Sequence, residues 1–309
     1  MLLARAERTG SPTDLEEAAR SGRAAMDQLP ASHADRGAVL SSLATVLQRQ
    51  FETTRRGDVI DEAVDGARAA VDLTPEGAPG HAKRMSNLAI VLRLRALYTG
   101  RTSDLDEAVD LARRSVRTAA TDDPERAAIL ANAGNVLRQR FEATGDPAVL
   151  NEAVSADREA VGRCPPGHPL RARCLASLAD AVGNRYDYTG ELADLDEAIS
   201  AGREAVDEAP VDLPERARYC ATLAIALEAR FDRTNLMADL DEAIEVGREA
   251  ARTTSFDHPD RAWMLSNLAG SLMRKPRSPA RLWRRRKPAR RSRRGWRRPR
   301  PTTPTGLRC

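Results

Sequence analysis

Large rings are scarce in this sequence, with aromatic residues making up 4% of its 309 positions. That scarcity excludes a compact core of stacked rings and suits thin layers of Ala, Leu and Val packed helix on helix. Cysteine is as sparse. Cys164, Cys174, Cys220 and Cys309 include no C-x-x-C pair and read as ordinary thiols in a reducing cytosol. The opening MLLARAERTG lacks the apolar run of a secretory signal. No later stretch approaches the roughly 18 apolar residues of a membrane span. A soluble, cytoplasmic protein with no membrane contact is the expectation.

Signals for chemistry are missing as well. No Gly-rich phosphate loop and no nucleophile elbow is present. His33, His168 and His258 are separated by whole multiples of 45 residues, too far apart in a repeat array to share a metal. No segment alternates polar and apolar residues with β-branched enrichment, which removes strands. The chain therefore reads as a non-enzyme with no catalytic residue, no metal and no cofactor.

What is present is a repeat. The phrases DLEEA, VIDEA, DLDEA, VLNEA, DLDEA and DLDEA place Ala18, Ala63, Ala108, Ala153, Ala198 and Ala243 at steps of 45 residues. Glu precedes each of them, from Glu17 to Glu242, and Arg follows five residues later, from Arg23 to Arg248. A second phrase keeps the same step through Leu43, Leu88, Ala133, Leu178, Leu223 and Leu268. Thr54, Thr99, Thr144, Thr189 and Thr234 form a third set. Three sets in step without an insertion define a tandem array.

Each unit reads as two helices. The first opens near a proline, as in Asp123-Pro124-Glu125-Arg126, which predicts proline at the first helical position. It runs through Val39, Leu40, Leu43, Val46 and Leu47 and stops near Thr-Gly at 99 to 100, 144 to 145 and 189 to 190. The second opens with Asp-Leu-Asp-Glu, where Asp104 and Glu107 have capping-box spacing, and closes near Pro30, Pro75, Pro165 and Pro210. The recurrent Glu and Arg lie six residues apart and face different sides of one helix. They are expected to pair between neighbouring repeats as a ladder.

The exit of the second helix resembles the tetratricopeptide repeat, in which Ala is followed seven residues later by Ala and five further on by Pro. Ala18, Ala25 and Pro30 have this spacing, as do Ala63, Ala70 and Pro75, and Ala198, Ala205 and Pro210. The resemblance covers residues 1 to 275 and implies an all-α, right-handed α-α superhelix. It departs in length, 45 residues against the usual number of about 34, and in small residues at Gly22, Ala67 and Gly202 where the family has bulk. Arrays with DLDEA and NLA phrases look like the long bacterial variant found with caspase-like peptidase domains. HEAT or armadillo arrays, with periods of about 40 to 47 residues, are the architectural rival, and the Ala-Ala-Pro spacing favours the tetratricopeptide reading.

By the same resemblance, the residue before the Leu-Gly pair of the first helix points into the concave groove. Here it is Ser42, Asn87, Asn132, Ser177, Thr222 and Asn267. Asn87 and Asn132, with Asn135 one turn on and Lys83, Arg173 and Arg218 one turn before, are the expected contacts for a protein or peptide partner, preferably acidic. Asn132 is expected to face solvent in the free protein. The match to a carboxylate clamp is partial, since Ser177 and Thr222 stand where such clamps place a base.

Residues 276 to 309 differ in kind. From Lys275 onward there are fifteen Lys plus Arg and no acid, and removing them from the total of 49 leaves 34 bases against 45 acids, a net charge of −11 before the tail. Three readings stand for this basic, Pro/Arg-rich segment. It is a disordered extension, or a nucleic-acid-binding tail with Trp283 and Trp296 to stack on bases, or the translation of a wrong frame in a GC-rich gene. Nucleic acid enters the functional reading only through this tail.

Overall fold

The computed structural model describes residues 12–254 and 260–275. Residues 1–11 and the basic segment 276–309, with all three readings of it, lie outside the described residues. Twelve helices and no strand occupy the described residues. They are α1 (Pro12–Gln28), α2 (Arg36–Thr54), α3 (Gly57–Asp72), α4 (His81–Thr99), α5 (Thr102–Thr118), α6 (Arg126–Thr144), α7 (Pro147–Gly162), α8 (Arg171–Thr189), α9 (Leu192–Glu208), α10 (Arg216–Thr234), α11 (Met237–Thr253) and α12 (Arg261–Arg274).

The even-numbered helices are the first helices of the repeats, and the odd-numbered ones are the second. Each first helix packs on the second helix after it and on the one before it, and successive first helices also touch one another. That pattern makes an all-α, tetratricopeptide-like solenoid with the first helices on its inner side. Among the described residues no helix is long and apolar enough to cross a membrane.

Small residues let the helices approach. Ala63, Ala108, Ala153, Ala198 and Ala243 are fully buried. The small positions that depart from the family pattern have a steric cause. A Cβ on Gly22 would lie 2.9 Å from Leu43 Cδ1, and one on Gly202 would lie 3.2 Å from Leu223 Cδ1. The repeated Leu of each following first helix occupies the space that a bulky side chain would need.

The Thr-Gly ends appear where expected. Gly100, Gly145 and Gly190 follow the last helical Thr with φ of 76°, 71° and 75°, the left-handed region that glycine adopts without strain. Each Thr folds back, as Thr99 Oγ1 does in donating to the Arg95 carbonyl at 2.8 Å.

Two helix-start expectations are corrected. Pro124 lies in the turn before α6, whose first residue is Arg126, and not at its first helical position. The capping box is not formed, for the N-caps of α5, α9 and α11 are Arg101, Glu191 and Leu236, with no side-chain cap bond. Asp104 instead sits inside α5, buried, and receives Arg95 Nε and Nη2 at 2.7 and 3.0 Å. Arg185 holds Asp194 and Arg230 holds Asp239 in the same fork. A bidentate guanidinium outcompetes backbone N-H groups for these carboxylates because it is charged and planar.

The predicted ladder is present along the second helices. Arg23, Arg68, Arg113, Arg158 and Arg203 donate to Glu62, Glu107, Glu152, Glu197 and Glu242 of the next unit at 2.6 to 2.8 Å. A further arginine row seals the joints. Arg36 Nη1 donates to the Met26 and Leu29 carbonyls at 3.2 and 2.6 Å, and Arg126 Nη1 to those of Val116 and Ala119 at 3.1 and 2.8 Å. Arg171, Arg216 and Arg261 repeat the contact, satisfying carbonyls that the ends of the second helices leave open, while after α3 His81 holds the position with Nδ1 2.9 Å from the Thr74 carbonyl.

Candidate partner-binding groove

The inner face is lined by one side of α2, α4, α6, α8 and α10. Asn87 is half-buried and donates through Nδ2 to Ser41 Oγ of the preceding first helix at 3.2 Å. Asn132 does the same to Ser86 Oγ at 3.0 Å and accepts from Arg173 Nη2 through Oδ1 at 3.2 Å. The solvent-facing position expected for Asn132 is therefore corrected, because it is half-buried and links three consecutive first helices. An amide has two N-H groups and one oxygen, so one donor of Asn132 stays available after these bonds.

Asn135 donates to the Ala131 carbonyl at 2.9 Å and to Ser177 Oγ at 3.5 Å, and accepts from Arg138 Nη2 at 2.9 Å. The structure thus brings Asn132, Asn135 and Arg173 together on α6 and α8, with Asn87 on α4, one first helix earlier. Lys83 stands apart, its ammonium held by Glu125 at 2.7 Å with both side chains exposed. Arg218 is exposed, forms no ion pair among the described residues and lies over the Tyr219 ring at 5.7 Å.

The groove also closes on itself. Arg49 Nη1 of α2 lies 3.3 Å from Glu215 Oε1, the N-cap residue of α10, so the array returns upon its own inner face. Arg93 of α4 and Arg138 of α6 occupy equivalent positions of touching helices, 45 residues apart, and were not among the residues expected from sequence. Burial, then the like charge of Arg138, pulls Arg93 down to about 10. Arg93 Nε, Arg173 Nε and Glu215 Oε2 are buried without hydrogen-bond partners.

The third unit is built differently beneath this surface. Where other units carry Leu-Ala at 43 to 44, 88 to 89 or 178 to 179, it carries Ala133-Gly134, and Asp157 replaces the usual Gly or Ala of the second helix. A Cβ on Gly134 would lie 2.3 Å from Asp157 Oδ1. Asp157 is fully buried and neither carboxylate oxygen has a partner. Its burial pushes the carboxyl well above the ordinary range, against the opposing pull of Arg138. Burial likewise pushes the Cys174 thiol up to about 12 and that of Cys220 up to about 11, so neither is a thiolate at neutral pH.

No protein-family model matches the chain, and no curated protein matches it. Among solved structures it is similar to the nearly identical TPR-like repeats of a Podosopora anserina kinesin light chain, with 20% identity, a TM-score of 0.48, and coverage of 72% of this chain and 99% of that one. It is also similar to BtubC (BKLC) from P. vanneervenii, with 17% identity, a TM-score of 0.46, and coverage of 78% and 93%. A third likeness is to the TPR2AB domain of yeast Sti1 in complex with pHSP90, with 15% identity, a TM-score of 0.32, and coverage of 86% and 97%.

Proposed function

We propose that this chain is a protein-interaction scaffold that holds an extended partner segment along the inner side of its first helices. The observation that carries this reading is the row of polar and cationic side chains that consecutive first helices present. Asn87, Asn132, Asn135 and Arg173 form its centre, with Lys83 and Arg218 at its flanks. Side chains recurring on equivalent helices form a line along a solenoid, and a line suits an extended chain. The remaining Asn132 donor and the Arg173 and Arg218 guanidinium groups favour backbone carbonyls and acidic side chains.

Arg218→Ala is the decisive variant, because Arg218 is exposed and makes no ion pair among the described residues, so folding is expected to be unaffected. Titration of a purified partner should show Arg218→Ala and Asn132→Ala each weakening binding by about 1 to 3 kcal/mol. The outer-face control Arg20→Ala should bind as the parent does. Thermal melting separates lost binding from lost stability in Asn132→Ala. Equal affinities for parent, both groove variants and the control would move the partner to another surface.

A further inference from the structure

We propose that Cys164 and Cys174 form a dithiol that oxidises to a disulfide, a covalent staple across the joint between the third and fourth units. The proposal is independent of the partner-binding reading and needs no partner. Its starting point is a contact. Cys164 lies just beyond the end of α7, Cys174 stands in the first turn of α8, and their Sγ atoms are 3.9 Å apart. Both are free thiols, fully buried in one small apolar cluster with Ala127, Leu130, Ala131 and Ala160. A disulfide holds its sulfurs at about 2.05 Å, so a gap of about 1.9 Å must close, a movement on the scale of a side-chain rotation.

The approach is set by the repeat and not by the sulfurs. The same two positions, ten residues apart across the turn, also meet at other joints. Thr74 Oγ1 accepts from Arg84 Nη1 at 2.5 Å, Ala119 and Ile129 share one buried cluster, and Thr254 Oγ1 donates to Met264 Sδ at 3.2 Å. The α7–α8 joint fills both places with cysteine, where the others carry Leu29 and Val39, Thr74 and Arg84, Ala119 and Ile129, Ala209 and Tyr219, and Thr254 and Met264. A single buried cysteine serves as a small apolar filler, which is the part left to Cys220. Two that face each other across a joint can be bonded without rebuilding it.

The turn that carries Cys164 gives an oxidant its way in. Pro165, Pro166 and Gly167 are exposed, whereas Cys174 is enclosed within α8. Lifting the turn breaks the bonds from Arg171 Nη1 to the Cys164 carbonyl and from the Gly167 N-H to Glu208 Oε2 at 3.1 Å, and it uncovers Cys164 first. The oxidant is a low-molecular-weight disulfide. Cys164 Sγ, as its thiolate, attacks one sulfur of the reagent, the reagent's S–S bond breaks, and one thiol departs with the proton that Cys164 lost. Cys174 Sγ then attacks Cys164 Sγ, the mixed disulfide breaks, and the second thiol departs with the proton of Cys174. Two electrons pass from the protein to the reagent, which ends as two thiols.

The test incubates the full chain in glutathione buffers of graded poise, alkylates the remaining thiols and maps tryptic peptides by mass spectrometry. Cleavage after Arg163, Arg171, Arg173 and Arg185 separates the two cysteines, so the disulfide joins peptide 164–171 to peptide 174–185. The folded parent should yield this linked pair, with Cys220 recovered as an alkylated free thiol. At half-oxidation the ratio of squared reduced to oxidised glutathione should be at least about tenfold higher in buffer than in concentrated urea, because the fold holds the sulfurs together. In Cys174→Ser the reaction should stop at the mixed disulfide of Cys164 with glutathione. Absence of the linked pair from the folded parent, a midpoint no higher in buffer than in urea, or glutathione retained on Cys164 of the parent as in Cys174→Ser overturns the proposal.

Discussion

On the outer face, Arg23, Arg68, Arg113, Arg158 and Arg203 each meet the glutamate of the next second helix at 2.6 to 2.8 Å, while on the inner face Arg93 and Arg173 keep buried Nε atoms with no partner. Both rows are arginine on helices of one repeat. The outer row is identical from unit to unit because each rung has the same task, tying one second helix to the next. The inner row changes from unit to unit, with Gln48, Arg93, Arg138, Gly183 and Glu228 at one repeated position. Uniform paired charge marks the joint, and the inner position, free of that shared task, varies in charge from unit to unit.

The comparison is tested first where charge is both paired and buried. Arg95→Met leaves Asp104 buried without its fork and should destabilise the fold by about 3 to 5 kcal/mol in urea denaturation. Replacing Asp104→Leu as well should recover most of that loss. If the single variant costs no more than an exposed rung, buried pairing is not what distinguishes these joints. The next effect concerns the third unit. Gly134→Ala, which puts a methyl against Asp157, should cost about 1 to 3 kcal/mol. In an Asp157→Gly background the same change should be tolerated, as Ala179 with Gly202 is in a later unit. The smallest effect is expected at the ladder itself, where Arg113→Ala should cost about 0.2 to 1 kcal/mol, because both partners are exposed and screened by salt. A larger loss there would mean that the rungs act cooperatively.

Much of the architecture was legible in the sequence because a 45-residue step constrains every unit alike. Helix pairing, the Thr-Gly ends and the Arg-Glu ladder all follow from it. The Arg36, Arg126, Arg171, Arg216 and Arg261 row keeps the same register, broken once by His81, and was there to be read, yet its carbonyl partners carry no side-chain signal. The Asp-Leu-Asp-Glu phrase was misread as a capping box because spacing within one helix says nothing of an arginine arriving from the helix before. The groove was legible only in part. Asn87 and Asn132 lie on the inner side, but their bonds to Ser41 and Ser86 join neighbouring units and depend on helix crossing. Arg93 escaped notice because a charged residue looks solvated until the packing around it is known.

The contact between Arg49 and Glu215 closes a loop of 166 residues, the difference of their numbers, with one ion pair at 3.3 Å. A stack of helix pairs is otherwise a spring, since each joint yields slightly and the small rotations add along its length. A spring whose coil is pinned to a distant coil no longer stretches freely. Any motion that draws α2 and α10 apart must first part this pair, so two side chains couple the first unit to the fifth.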